Sequence, residues 1–118
     1  MILPAVLIER SNLTKKQLES LTSYVKVVSG GMFYREAAAL RSGKPVTIGS
    51  YYRTVQQGRI RVRESIVTVL VAIAVGLVKP EDIRRLLELI GKGSPEVAEE
   101  DSERFVAILQ AVLDKIVM

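Results

Sequence analysis

The chain of 118 residues is 48% hydrophobic, 25% charged and only 5% aromatic, and it contains neither cysteine nor histidine. That length suits one domain with a real core, and the inventory excludes disulfides, thiol nucleophiles, histidine bases and the usual zinc, iron and copper sites. The net charge of +4 conceals a segregation. Seven basic residues and one acidic residue (Glu36) lie between Arg35 and Arg63, whereas six basic and ten acidic residues occur from Glu64 onward. A basic region on a near-neutral or acidic body is the footprint expected for binding a polyanion, against the plainer alternative that these arginines solvate a helix face.

Sparse aromatics and abundant aliphatics predict an all-α fold, a compact bundle of five or six helices, with a short strand or arm from Ile2 to Ile8. The opening MILPAVLIER has no basic segment ahead of its apolar run, so we do not read it as a signal peptide. The first well-marked helix starts at Thr14, where Gln17 stands at the capping-box position and Leu13 and Leu18 at staple positions. Leu18, Leu21 and Val25 keep helical spacing, and Gly30-Gly31 ends the helix. Phe33 to Arg41 predicts a short alanine-rich helix ended by Ser42-Gly43 and Pro45.

Val46 to Ser65, VTIGSYYRTVQQGRIRVRES, carries four arginines, two adjacent tyrosines, a central glycine and one acid. Thr47 can cap a helix there, with Val46 and Tyr51 turned inward at staple positions. Thr47, Ile48, Ser50, Tyr52, Arg53 and Gln57 would then lie on the exposed N-terminal half. At Gly58 two readings diverge. A continued helix puts Val55, Val62, Ile66, Val69 and Ile73 on one stripe, with Gly58 allowing close packing. A break there lets Arg59-Ile60-Arg61-Val62-Arg63 alternate as a strand or wing. The continuous apolar run and the absence of a hairpin partner favour helix. The uncharged stretch Ser65 to Val78 is 14 residues, too short for a bilayer, and is expected to be buried core.

Gly76 suits a left-handed helix stop with Leu77 as its hydrophobic contact, and Pro80 suits the first turn of the next helix, with Glu81 and Asp82 at its positive end. That helix shows Ile83, Leu86, Leu87 and Ile90 on one face and is expected to end at Gly91. Gly91 to Pro95 reads as a flexible loop. Its GKGS is like the tail of a phosphate-binding loop, but Leu86 stands where that motif needs glycine. Glu99, Glu100, Asp101 and Glu103 lack calcium-loop spacing and read as the solvated start of a last helix. That helix is apolar on more than one face, which points to packing on the domain and against a second subunit. We therefore expect residues 1–92 to form the binding domain and 93–118 a dimerising helix of the same compact domain.

The stretch YREAAALRSGKPVTIGSYYRTV, Tyr34 to Val55, resembles the helix-turn-helix of the helix-turn-helix and winged-helix DNA-binding superfamily, of prokaryotic or archaeal regulator type. Ala37 and Ala38 match the small residues where two helices cross, and Val46-Thr47-Ile48-Gly49-Ser50-Tyr51-Tyr52-Arg53 matches the second-helix pattern. The turn RSGKP is about three residues longer than the tight form, which fits a looser winged-helix relative. The resemblance implies a transcription regulator, not an enzyme, that reads the major groove of double-stranded DNA. Thr47, Ile48, Ser50, Tyr52, Arg53 and Gln57 would face the groove, and Arg41, Lys44, Arg59, Arg61 and Arg63 the phosphates. With its apolar C-terminal helix as the contact the chain is expected to act as a homodimer, no residue pattern points to a cofactor, metal or membrane, and the expected location is the cytoplasm, at the nucleoid. The alternative is an architectural or interaction protein whose basic region meets a nucleic-acid backbone or an acidic partner without base readout. The lack of cysteine and scarcity of Asn and Gln also fit a heat-adapted intracellular protein.

Overall fold

The structure, a computed structural model, describes residues 5–41, 46–92 and 99–117. Six α-helices occur in chain order: α1 (Ala5–Arg10), α2 (Lys15–Val28), α3 (Tyr34–Ala39), α4 (Ile48–Ala74), α5 (Pro80–Lys92) and α6 (Glu99–Ile116). No strand occurs among the described residues, so the fold is all-α. The expected strand or arm at the N-terminus is helical from Ala5, and residues 2–4 lie outside the described residues. The helix beyond Pro80 runs through Gly91 to Lys92, where a loop is expected from the sequence, and the rest of that expected loop, residues 93–95, lies outside the described ones. No helix among the described residues is long and apolar enough to cross a membrane.

Local chemistry accounts for the ends of α2 and α4. The Thr14 side chain accepts from the Gln17 backbone N–H at 3.1 Å, and the Gln17 side chain accepts from the Thr14 backbone N–H at 3.0 Å, completing the expected capping box. At the end of α4, Gly76 takes φ +83°, the Leu77 N–H reaches the Ala72 carbonyl and the Gly76 N–H the Ile73 carbonyl. This doubly bonded stop is the one the sequence marks at Gly76-Leu77. Gly30 does the same for α2 at φ +84°, with the Gly31 N–H on the Lys26 carbonyl.

Contacts divide the chain into two units inside α4: Asn12–Ser65, and Met1–Ser11 with Ile66–Met118. The division expected from the sequence lies at residue 92 instead. The central unit holds ten basic and three acidic residues, or +7, and the flanking unit seven and ten, or −3.

The central unit packs α2, α3 and the first part of α4 around Ala37, Ala38, Tyr51 and Val55, with Leu21, Tyr24, Val27, Met32 and Val46 against them. Ala37 and Ala38 let α3 approach closely, as the sequence predicts. The buried face of α2 is rotated from the expected Leu18–Leu21–Val25 stripe. Gln17 and Ser20 are buried, while Val25 and Val28 are exposed. The cause is the Tyr51 phenol, which donates to the Ser20 carbonyl at 2.9 Å and lies 2.6 Å from the Ser23 hydroxyl. A small residue at position 20 admits the ring, and a larger aliphatic there would exclude it.

The flanking unit holds α1, the second part of α4, α5 and α6. Arg10 of α1 reaches Asp114 of α6 at 3.3 Å, an exposed pair of small energetic weight. Val78 and Leu109 are its buried hydrophobics among the described residues. The stretch Ser65–Val78, expected as buried core, is corrected here: Ile66, Val67, Val69, Leu70, Val71 and Val75 are all exposed. The expected continuous stripe is buried at Val55, exposed at Val62, Ile66 and Val69, and half-buried at Ile73.

Candidate nucleic-acid interface

The Thr47 hydroxyl accepts from the Ser50 backbone N–H at 3.1 Å, and the Thr47 carbonyl takes the first helical bond, from Tyr51, at 3.0 Å. These two bonds fix where α4 begins and hence the rotational phase of its side chains. Tyr51, Val55 and Gly58 succeed one another at steps of four and three and are buried on one side. Gly58 does not break the helix. A Cβ built there would lie 2.8 Å from Leu21 Cδ1 and 3.1 Å from Leu21 Cγ, so any larger residue requires the Leu21 side chain to shift. Residues 59–63 are therefore helical, and a wing strand is excluded at this point in the chain.

A residue two positions beyond a buried one projects about 160° away at 3.6 residues per turn. Arg53 and Gln57 stand in that relation to Tyr51 and Val55, and both are exposed. Neither side chain makes a hydrogen bond or ion pair among the described residues, so both present their full polar capacity to solvent. Thr47, Ile48 and Ser50 are exposed at the same end of α4.

One flank of this face is built up by tilted and edge-on aromatic contacts. The Tyr34 ring lies 6.5 Å from Tyr24 and 6.4 Å from Tyr52, and the Arg59 guanidinium sits 5.6 Å above the Tyr24 ring. Gln56 donates to the Tyr52 hydroxyl at 2.6 Å and accepts from Arg59 at 3.5 Å. Tyr52 and Arg59 are thus held by neighbours, and Arg59 is half-buried. On the other flank Arg61 donates to the Asn12 carbonyl at 3.0 Å, which ties α4 to the segment that leads into α2. Arg63 is exposed.

Arg41 is half-buried and helps to line a groove of about 390 Å³ with Leu18, Ser20, Met32, Leu40 and Tyr51. Lys44 lies outside the described residues. Of the described members of the expected phosphate set, Arg63 and Arg61 are exposed, Arg61 being bonded to the Asn12 carbonyl, and Arg41 and Arg59 are half-buried. Sequence reasoning passed over Tyr24, Tyr34 and Gln56, the residues that hold Tyr52 and Arg59. The only local signal for them was the i, i+4 spacing of Tyr52 and Gln56. Among the described residues no group of three or more potential metal-ligating side chains occurs. Comparison with protein-family models, with curated proteins and with solved structures finds no match for this chain.

Proposed function

We propose that this protein binds double-stranded DNA as a transcription regulator, with α3 and α4 acting as a helix-turn-helix and the N-terminal half of α4 in the major groove. The observation that carries this reading is the placement of Arg53 and Gln57. They lie one turn apart and exposed, on the side of α4 opposite Tyr51 and Val55, in a unit of charge +7. Arginine can make two hydrogen bonds to guanine and glutamine two to adenine, so this pair has the chemistry of base readout. Thr47, Ser50 and the free amides of the first turn are suited to a phosphate beside the groove. Arg63 adds a charge without sequence preference, and Tyr52 and Arg59 offer a pre-ordered edge whose rotamers are already fixed. The protein has no catalytic role in this reading and acts at the nucleoid as a homodimer.

Selection of bound sequences from a random duplex pool tests it. Enrichment of a palindromic or near-palindromic motif is expected, because a two-fold dimer presents two copies of α4 to two half-sites. Retention without enrichment would favour backbone binding without base readout. No retention at low salt would end the nucleic-acid reading.

A further inference from the structure

Among its described residues the flanking unit buries two hydrophobic side chains, Val78 and Leu109, and leaves eleven large aliphatic ones exposed. Six of the eleven lie within one stretch, Ile66, Val67, Val69, Leu70, Val71 and Val75, and they are 39–73% exposed. Along α4, Ile66 with Leu70 and Val67 with Val71 are i, i+4 pairs, and the small exposed Ala74 continues the same stripe. Scattered exposed aliphatics need no explanation, but a continuous stripe on one helix marks a surface that is covered in the working molecule.

We infer that this stripe of α4 is where a second copy of the chain packs, the two α4 helices facing each other across a two-fold axis. Three observations select a copy of the same chain. Val69 falls on the other side of the helix, towards the half-buried Ala72 and Ile73, so the remaining five residues, each roughly half accessible, offer roughly 450–500 Å² per protomer. With Ala74 and Leu77 beside them this reaches the roughly 600 Å² a side at the lower bound of stable specific interfaces. From Ser65 to Val78 there is no charged residue, so self-contact desolvates no ion, and no charge pattern selects a foreign partner. Four of these five residues are β-branched, with little rotamer freedom to lose on packing. The dimer contact thus falls on α4; Ile108 on α6 and Val117 just after it are exposed as well. The inference rests on the dimeric part of the proposed function and names its surface.

Sedimentation of the full chain and of Leu70→Glu tests it. The native chain is expected at twice its 13.0 kDa monomer mass, and Leu70→Glu at the monomer mass with unchanged helical circular dichroism. Ile108→Glu, on α6, should remain dimeric. A monomeric native chain, or a Leu70→Glu variant that stays dimeric, overturns the inference, as does dissociation by Ile108→Glu alone. If Leu70→Glu does not fold, Leu70→Ser supplies a milder probe. It should raise the dimer dissociation constant read by sedimentation by about tenfold or more, and an unchanged constant overturns the α4 contact. Duplex binding distinguishes the interface from the DNA reading. Half-site binding by a monomeric native chain would leave the DNA reading standing without this interface. A native dimer that retains no duplex would leave the interface standing without the DNA reading.

Discussion

Gly58→Ala isolates the contact that sets α4 against α2. Replacing an interior helical glycine by alanine ordinarily stabilises a helix by about 1 kcal/mol. Here the added methyl would sit 2.8 Å from Leu21 Cδ1 and 3.1 Å from Cγ. Turning the end of the leucine relieves the Cδ1 contact, but the branch point must also give by a few tenths of an ångström, which in a packed site strains its first torsion or the backbone. Overpacking of this kind costs about 1–3 kcal/mol, so the contact should cancel or reverse the propensity gain. Gly49 provides the control, because nothing lies within 4 Å of its Cβ position. Gly49→Ala should be neutral or stabilising, and the two variants should differ by about 1–3 kcal/mol. All four tyrosines, Tyr24, Tyr34, Tyr51 and Tyr52, lie in the central unit, and there is no tryptophan. Urea unfolding followed by tyrosine fluorescence therefore reports on this unit alone. Adding Leu21→Ala should remove most of the difference. If Gly58→Ala stabilises as much as Gly49→Ala, the close approach of α2 and α4 is wrong.

Tyr51→Phe should lower the stability of the central unit by about 0.5–1.5 kcal/mol. It loses the bond to the Ser20 carbonyl, while Ser23 can turn back to the Glu19 carbonyl. Urea midpoints unchanged from the native protein would contradict that network. Thr47→Ala and Thr14→Ala should each cost about 1 kcal/mol as lost N-caps, measurable in the same titration. Arg59→Ala should cost about 0.5–1 kcal/mol of stability through the lost stacking on Tyr24, whereas Arg63→Ala should cost none. Arg63→Ala should instead lower the slope of log affinity against log salt for duplex by about 0.9. The reverse pattern would exchange the two assignments.

The features legible in the sequence are those set within one turn of chain. Thr14 with Gln17, Thr47 with Ser50, and Gly76 with Leu77 are caps whose partners lie within a few residues, and all form as expected. Tyr51 turns inward for the same reason, its phase being fixed by the cap four residues earlier. Gly58 is legible as a site of close approach, but not which residue approaches, because Leu21 is remote in the chain. The Tyr24–Tyr34–Tyr52 cluster joins three helices and leaves no periodic trace. The rotated face of α2 is hidden because Ser20 is buried by a bond to Tyr51 and not by its own hydrophobicity. Ser65–Val78 marks the deepest limit. Apolar spacing says that a face must be covered, and it cannot say whether the same chain or another copy does so.

Base readout by α4 stands or falls on Arg53→Ala, measured by equilibrium binding to the selected duplex and to a scrambled one at a fixed salt concentration. The expected loss is about 1–3 kcal/mol on the selected sequence and much smaller on the scrambled one, so that the preference flattens. An equal loss on both duplexes would contradict base readout by α4. No binding of the native protein to either duplex at low salt would contradict the function itself.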